Sequence, residues 1–75
     1  MSAKLPAVKP KDLIRALEKK GWRLDRVRGS HHIMVHPILK NAVPVPMHNR
    51  DLKTGTLSGI LRSAGISRQE LTDLL

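Results

Sequence analysis

The fold class of this chain is decided by residues 21–36, which read GWRLDRVRGSHHIMVH. Along residues 22–27, Trp22, Leu24 and Arg26 alternate with Arg23, Asp25 and Val27. Along residues 30–36, His31, Ile33 and Val35 alternate with His32, Met34 and His36, and Arg28-Gly29 between the two runs is typical of a turn. An alternation with a period of two places successive side chains on opposite faces of an extended chain. The stretch therefore predicts two β-strands that are joined by a tight turn.

An amphipathic helix is predicted before these strands, over about residues 10–20. Pro10 fits the first turn of a helix, where its missing N–H removes no hydrogen bond. Leu13 and Leu17 follow at helical spacing and define the apolar side. Gly21 is placed to end the helix in a left-handed conformation. The period thus changes from helix to strand at this glycine.

A third extended run follows at residues 42–47, after a loop at residues 37–41. It contains Pro44 and Pro46, which have no N–H to donate to a strand ladder. We therefore expect this strand to lie at an edge of the sheet.

Two helical segments complete the chain. The apolar stripe of the first consists of Leu57, Ile60, Leu61 and Ala64. Thr54 or Thr56 is the expected N-cap of this helix and Gly65 its stop. Residues 67–70, SRQE, form a capping-box sequence that opens a short last helix. The order α-β-β-β-α with a short C-terminal helix predicts an α+β domain of two layers, in which helices cover a three-stranded antiparallel sheet.

Composition restricts the classes of function. The chain has 75 residues, for which we expect one domain at residues 10–75 after a flexible arm at residues 1–9. It has no cysteine, which excludes disulfides and thiolate chemistry and favours the reducing cytoplasm. No apolar run has the length of a membrane span, so no membrane association is expected.

The charge of the chain indicates a polyanionic partner. Fourteen lysine and arginine residues against six acidic residues give a net charge of +8. So strong a field favours a nucleic-acid ligand over a merely solubilising role. Trp22 is the only aromatic residue, so the protein lacks the rows of stacking platforms that some RNA-binding domains use. Contacts with nucleic acid would rest on charge, hydrogen bonds and shape.

The candidate chemical groups are four histidines: His31, His32, His36 and His48. Imidazole exchanges protons near neutral pH, and RNA cleavage needs a base for the ribose 2′-OH and an acid for the leaving 5′-oxygen. His31 follows Gly29-Ser30, a turn where backbone can approach a phosphate and the serine can donate a hydrogen bond. Arg26 and Arg28 lie just upstream and could offset charge at phosphorus.

Two other roles are open for these histidines. His31 has the parity of Ile33 and Val35, so it could be a hydrogen-bonded histidine at the rim of the core. The histidines could also converge on a metal ion, although His31 and His32 point to opposite faces of a strand. The acidic residues show no spacing typical of a magnesium site, and no Ser-His-Asp order or glycine-rich phosphate loop is present.

Several stretches, in order, resemble the HicA toxin family. They are Gly21-Trp22-Arg23, residues 28–37 (RGSHHIMVHP), residues 43–48 (VPVPMH), residues 52–57 (LKTGTL) and residues 60–67 (ILRSAGIS). The resemblance covers nearly the whole chain, from about Lys9 to Ser67. It implies a fold like that of double-stranded-RNA-binding domains, an mRNA interferase activity that needs no metal or other cofactor, and neutralisation by a HicB-type antitoxin.

The resemblance also implies the site residues. The family's Gly-Ser-His element places the catalytic histidine at His31, and His32 is the alternative because family members differ in whether one or both of these positions are histidine. The expected RNA contacts are Gly29, Ser30, Arg26, Arg28 and Lys53. We expect His31 on the inner face of the sheet and His32 on the opposite face, more open to water. Since catalysis favours a held imidazole, this placement supports His31.

The function predicted from the sequence is therefore that of a toxin that cleaves mRNA and blocks translation. A non-catalytic RNA- or DNA-binding module with the same basic surface is the alternative. A third class is an interaction protein whose basic surface meets an acidic protein.

Overall fold

The chain folds as an α+β domain, and a computed structural model describes it over residues 5–75. Its elements are α1 (Pro10–Lys19), β1 (Arg23–Arg28), β2 (His31–Val35), β3 (Val43–Pro46), α2 (Thr54–Ala64) and α3 (Arg68–Leu74). This order and the fold class are those predicted from the sequence. Among the described residues, no helix combines the length and the apolarity needed to cross a membrane.

The three strands form one antiparallel sheet in the order β1-β2-β3. β3 lies at an edge, as its two prolines require. Met34 of β2 and its partner Val43 of β3 are fully buried, as is Val45. The face that carries these three side chains is the one that the helices cover. We call it the covered face and the other one the open face.

The core lies between the covered face and the helices. α1 contributes Pro10, Leu13, Ala16 and Leu17, α2 contributes Leu57, Ile60, Leu61 and Ala64, and α3 contributes Leu71. Trp22, at 2% exposure, closes the core where α1 passes into β1. The indole ring of Trp22, the only Trp, Tyr or Phe side chain in the sequence, therefore packs in the core and is not available to stack on a ligand.

The N-terminal segment also belongs to the packed domain. Val8 is only 2% exposed, and its carbonyl accepts a hydrogen bond from the Leu52 N–H at 2.8 Å. Leu5 packs against the same core. Val8, which the sequence analysis placed in a flexible arm at residues 1–9, is thus part of the core, and residues 1–4 of that arm lie outside the described residues.

The start of α2 differs from the prediction. Its N-cap is Lys53, in extended conformation, and in the described part of the chain this residue makes no side-chain cap hydrogen bond. Thr54 is already the first helical residue, so neither threonine occupies the extended position from which a hydroxyl can cap. The predicted stop is confirmed, because Gly65 adopts a left-handed φ of 69°.

The capping box predicted for α3 is confirmed. The Ser67 hydroxyl accepts from the Glu70 N–H at 3.0 Å, and the Glu70 carboxylate accepts from the Ser67 N–H at 3.1 Å. The same carboxylate accepts from Lys20 Nζ at 2.9 Å, and Lys19 Nζ donates to the Leu74 carbonyl at 2.6 Å. Both ends of the short helix are therefore attached to the end of α1.

The stability of this attachment should depend on pH. The hydrogen bond from Lys20, followed by the one from the Ser67 backbone and the Lys20 charge, lowers the pKa of Glu70 below its ordinary value of 4.5. A lowered folded-state pKa gives stability that is complete above the unfolded-state pKa and is lost as the pH falls through the folded-state pKa. Urea unfolding between neutral pH and about pH 3 should show this loss.

Glu70→Gln is the control, since the amide oxygen can still accept from Ser67 but has no charge to lose. The wild type should exceed this variant in stability at neutral pH, and the difference should shrink on acidification. A difference that stays constant over that range would contradict the role given to Glu70.

Candidate functional site

The arginines of β1 are arranged by a β-bulge. The paired residues are Arg23 with Val35, Leu24 with Met34, Arg26 with Ile33, Val27 with His32 and Arg28 with His31. Asp25 is left without a partner, and such an extra residue shifts the alternation of the strand by one position. Directly paired residues share a face, so all three arginines of β1 lie on the open face.

The bulge corrects the alternation that the sequence suggested. Strict alternation placed Arg26 with Leu24 and put Val27 with Asp25. In the structure Arg26 lies on the face opposite Leu24, and Val27 joins Leu24 on the covered face, at its edge, where both side chains remain exposed. The alternation of faces assumes that each residue of one strand pairs with one residue of the next. Asp25 is an extra residue without a partner, so the residues after it face the side opposite to the one that alternation gives. The spacing of Leu24 and Val27, three apart in a strand, is the signal that could have revealed the bulge.

The open face has arginines along one edge and mainly apolar side chains over the rest of its surface. By register, its members are Arg23, Arg26 and Arg28 of β1, His31, Ile33 and Val35 of β2, and Pro44 and Pro46 of β3. Arg23 was not among the predicted site residues, because without the bulge it has the wrong parity to join Arg26. Asp25, 3.6 Å from Arg26, is the nearest carboxylate to this edge among the described ion pairs.

Gly29 and Ser30 form the turn between β1 and β2. Gly29 has a φ of 59°, in the left-handed region, while Ser30 does not. Glycine at the first position of a two-residue loop fits a type II′ turn, which suits the twist of a hairpin. The Ser30 carbonyl accepts from the Met47 N–H at 2.7 Å, so the turn is also joined to the chain that leaves β3. Apart from Gly29 and its two chain neighbours, no atom of the described residues lies within 4 Å of the position where a Cβ on Gly29 would be, so this side of the turn is open to a ligand.

His31 is exposed and lies on the open face. Its ladder partners are Arg28 on one side and Pro46 on the other. Within residues 5–75 no hydrogen bond or ion pair involves its imidazole. The shared parity of His31 and Ile33 predicts that His31 lies on the inner face, and this prediction is wrong, because it is Met34 that faces the helices. The alternative of a hydrogen-bonded histidine at the core rim is excluded by the same observation.

The sequence predicts that His32 faces away from the core and is the more open to water, and this prediction is wrong. His32 shares the covered face with Met34, is half-buried, and pairs with Val27 and Val45. Its Nδ1 atom is buried and has no hydrogen-bond partner among residues 5–75. His32 is therefore the more enclosed of the two histidines, and His31 the one that solvent reaches freely.

His36 has a structural position. Its Nδ1 accepts from the N–H groups of Ile38 at 3.1 Å and Leu39 at 3.3 Å. The proton then resides on Nε2, which donates to the Lys20 carbonyl at 3.1 Å. The ring also meets Trp22 edge to face, with centroids 5.3 Å apart. His36 thus ties the end of β2 to the end of α1.

The remaining candidates do not join the turn. His48 is exposed, and its Nδ1 accepts from the Arg50 N–H at 3.1 Å. Lys53 is exposed at the N-cap of α2, and within the described part of the chain no hydrogen bond or ion pair links it to Gly29, Ser30 or His31. No group of three or more histidine or acidic side chains in residues 5–75 is placed to hold a metal ion.

Comparison with known proteins finds one family. The family model that is described as HicA toxin of bacterial toxin-antitoxin matches residues 10–66, which is well over half of the chain. The match runs from the first residue of α1 to just beyond the end of α2, so it includes the whole sheet. No curated protein matches the sequence.

The different positions of His31 and His36 predict different effects on stability. His31→Ala removes an exposed ring without partners and should change the free energy of unfolding by no more than about 0.5 kcal/mol. His36→Ala removes the hydrogen bonds to Lys20, Ile38 and Leu39 and should cost about 1–3 kcal/mol. Urea unfolding followed by circular dichroism measures both. Equal losses in the two variants would contradict this division between a free and a structural histidine.

Proposed function

The chain belongs to the HicA toxin family of bacterial toxin–antitoxin systems, and from that membership we propose that it is an endoribonuclease that cleaves mRNA and blocks translation. The observation that carries the proposal is the position of His31. It is an exposed imidazole that follows the Gly29-Ser30 turn and lies beside Arg28 in the ladder. A proton-exchanging group thus lies next to a cation and an open backbone turn, which is what RNA cleavage requires.

The proposed reaction uses the substrate's own nucleophile. A base removes the proton of a ribose 2′-OH, and the 2′-oxygen forms a bond to the adjacent phosphorus. The bond from phosphorus to the 5′-oxygen breaks, and an acid protonates that oxygen. The products are a 2′,3′-cyclic phosphate and a 5′-OH end. His31 is the proposed acid–base group, because imidazole can take up and return the proton.

The neighbours of His31 supply the other parts of the proposed site. Cross-strand partners have Cα atoms about 4.5–5.5 Å apart, so the Arg28 guanidinium can reach a phosphate that His31 contacts. Arg26 lies two residues further along the same face. Gly29 and Ser30 can donate backbone and hydroxyl hydrogen bonds to the phosphate. Lys53 is a further proposed RNA contact, from the separate position at the start of α2.

His32 is the alternative acid–base group, and the structure changes the argument between the two. The sequence predicts His31 as the held imidazole, yet His32 is the more enclosed of the two. What supports His31 is its place among the arginines of the open face and its match to the family's Gly-Ser-His element. His32 is separated from those arginines by the sheet itself.

The family also suggests the setting. We propose that the toxin acts in the cytoplasm, where mRNA is translated, and that a HicB-type antitoxin neutralises it. An inhibitory partner can cover both the arginines of the open face and the exposed imidazole of His31.

Replacement of the two histidines separates the assignments. His31→Ala should lower the rate of RNA cleavage by at least about 100-fold, the usual scale for the loss of an acid–base group. His32→Ala should cost much less, provided that the folded fraction is matched by circular dichroism. Initial rates on an unpaired RNA with purified variants measure this. An inert His32 variant beside an active His31 variant would move the catalytic group to the covered face.

The chemistry of the products gives an independent test. Cleavage should continue in excess EDTA, because no step of the proposed reaction uses a metal ion. The products should have 2′,3′-cyclic phosphate or 3′-phosphate ends, which mass spectrometry identifies. A strict requirement for Mg²⁺ or Zn²⁺, or 5′-phosphate ends, would refute the histidine mechanism. Binding without any cleavage would favour the non-catalytic module.

A further inference from the structure

We propose that the substrate is an unpaired RNA strand that runs along β1 on the open face, with its phosphates on the arginines and its bases over the apolar part of the sheet. This inference rests on the proposed function and adds to it the form of RNA that the site accepts, the face that binds it, and Arg23 as a further binding residue.

The arginines form a single row with the spacing of a nucleic-acid backbone. Arg26 and Arg28 are two residues apart on one face, which corresponds to about 6.7 Å along a strand. This is close to the separation of consecutive phosphates in an extended strand. Arg23 continues the row beyond the bulge. Guanidinium groups bind phosphate through two parallel N–H donors, so each position can hold one phosphate.

The row is free to receive a polyanion. β1 is an edge strand, and each of its six residues is exposed. Arg23 and Arg28 form no hydrogen bond or ion pair with any residue in the range 5–75. Arg26 has only the long contact to Asp25, at 3.6 Å, between two side chains that are both well exposed. An exposed pair of this kind contributes little, and a phosphate can displace it.

The rest of the open face is mainly apolar, and this surface favours unpaired over paired RNA. Next to the arginine row lie Ile33, which is only 9% exposed, and Val35, followed by Pro44 and Pro46 on β3. The apolar surface that a base can contact is therefore mainly that of Val35 and the two prolines. Within residues 5–75, no second row of cations lies on the strands of this face. A duplex presents two phosphate rows and keeps its bases stacked inside, so only one row could be matched. An unpaired strand can turn its bases onto the apolar surface while its phosphates stay on the arginines.

His31 lies where these two parts meet. In the ladder it has Arg28 on the cationic side and Pro46 on the apolar side. In a nucleotide the ribose lies between phosphate and base. A strand that is bound in this way brings a 2′-OH over His31, which is the hydroxyl that the proposed reaction deprotonates. The position of the catalytic group thus follows from the orientation of the strand.

The experiment measures binding without cleavage. A fluorescent 2′-O-methyl RNA oligonucleotide has no 2′-OH to react, so its affinity for the wild-type protein can be followed by anisotropy. The free strand should bind at least about tenfold more tightly than the same strand annealed to its complement. Equal or tighter binding of the duplex would overturn the proposal.

An exchange of Arg26 and Val27 tests which face of the sheet binds RNA, with no change in net charge or composition. Arg26→Val combined with Val27→Arg moves one guanidinium from the open face to the covered face, and Val27 is 56% exposed, so the arginine has room. The variant should lose about one phosphate contact, which lowers the slope of log K against log salt by about 0.7. Affinity at moderate salt should fall about tenfold.

Single substitutions keep the proposal testable if the transposed protein does not fold. Arg23→Ala and Arg28→Ala should each lower the salt slope by about the same amount, 0.7. Arg62→Ala removes an equal charge from an exposed position on α2 and should leave the slope unchanged. Equal losses at Arg62 and at the β1 arginines would show that net charge alone attracts RNA, and would overturn the proposal.

A failure of this binding mode can be distinguished from a failure of the proposed nuclease activity. If the arginine variants lose affinity but the wild type never cleaves ordinary RNA, the binding face is right and the nuclease activity is wrong. If the wild type cleaves RNA while the β1 variants bind the uncleavable strand as well as the wild type does, the activity stands and this binding mode is wrong.

Discussion

The pairing of β1 with β2 decides which side chains this small domain shows to its surroundings. Asp25 has no partner in the ladder, and from that point on every side chain of β1 faces the opposite side from the one that simple alternation gives. The same register places Arg28 beside His31. A shift by one residue would move Arg26 and Arg28 to the other face of the sheet, away from His31, and would bring Val27 onto the open face. The chemistry of the open face therefore depends on one extra residue in an edge strand.

The core leaves most of the open face free because the sheet contributes to it from the covered face, and among the described residues Ile33 is the one buried residue of the open face. Met34, Val43 and Val45 provide the apolar layer of the sheet, and α1 and α2 cover it. A chain of this length buries only a modest core, so the junctions between elements matter. His36 holds the end of β2 to the end of α1, and Glu70 with Lys20 holds α3 to the same point. These side-chain contacts thus lie away from the start of β2, where the imidazole of His31 is exposed.

The element order could be predicted because its signals are local. Pro10, Gly21 and the Ser67 capping box mark helix ends by their own conformational preferences, and Pro44 with Pro46 requires an edge strand. The facing of β2 could not be predicted, since Ile33 and Met34 are both apolar and either parity could face the helices. It was decided by packing against α1 and α2, which are distant in sequence. The Gly29-Ser30-His31 element was found from the family resemblance, whereas Arg23 needed the bulge, which only the ladder reveals.

The central claim is that the face carrying His31 is the face on which RNA is bound and cut. The most direct measurement is the nuclear magnetic resonance spectrum of the imidazole and guanidinium groups while the uncleavable 2′-O-methyl strand is added. The account predicts that the signals of His31, Arg26 and Arg28 shift together and saturate with the binding curve, while those of His36 and Arg62 stay in place. Shifts at His32 and at the helix arginines, with His31 unmoved, would show that RNA binds the other side of the sheet and would contradict the account.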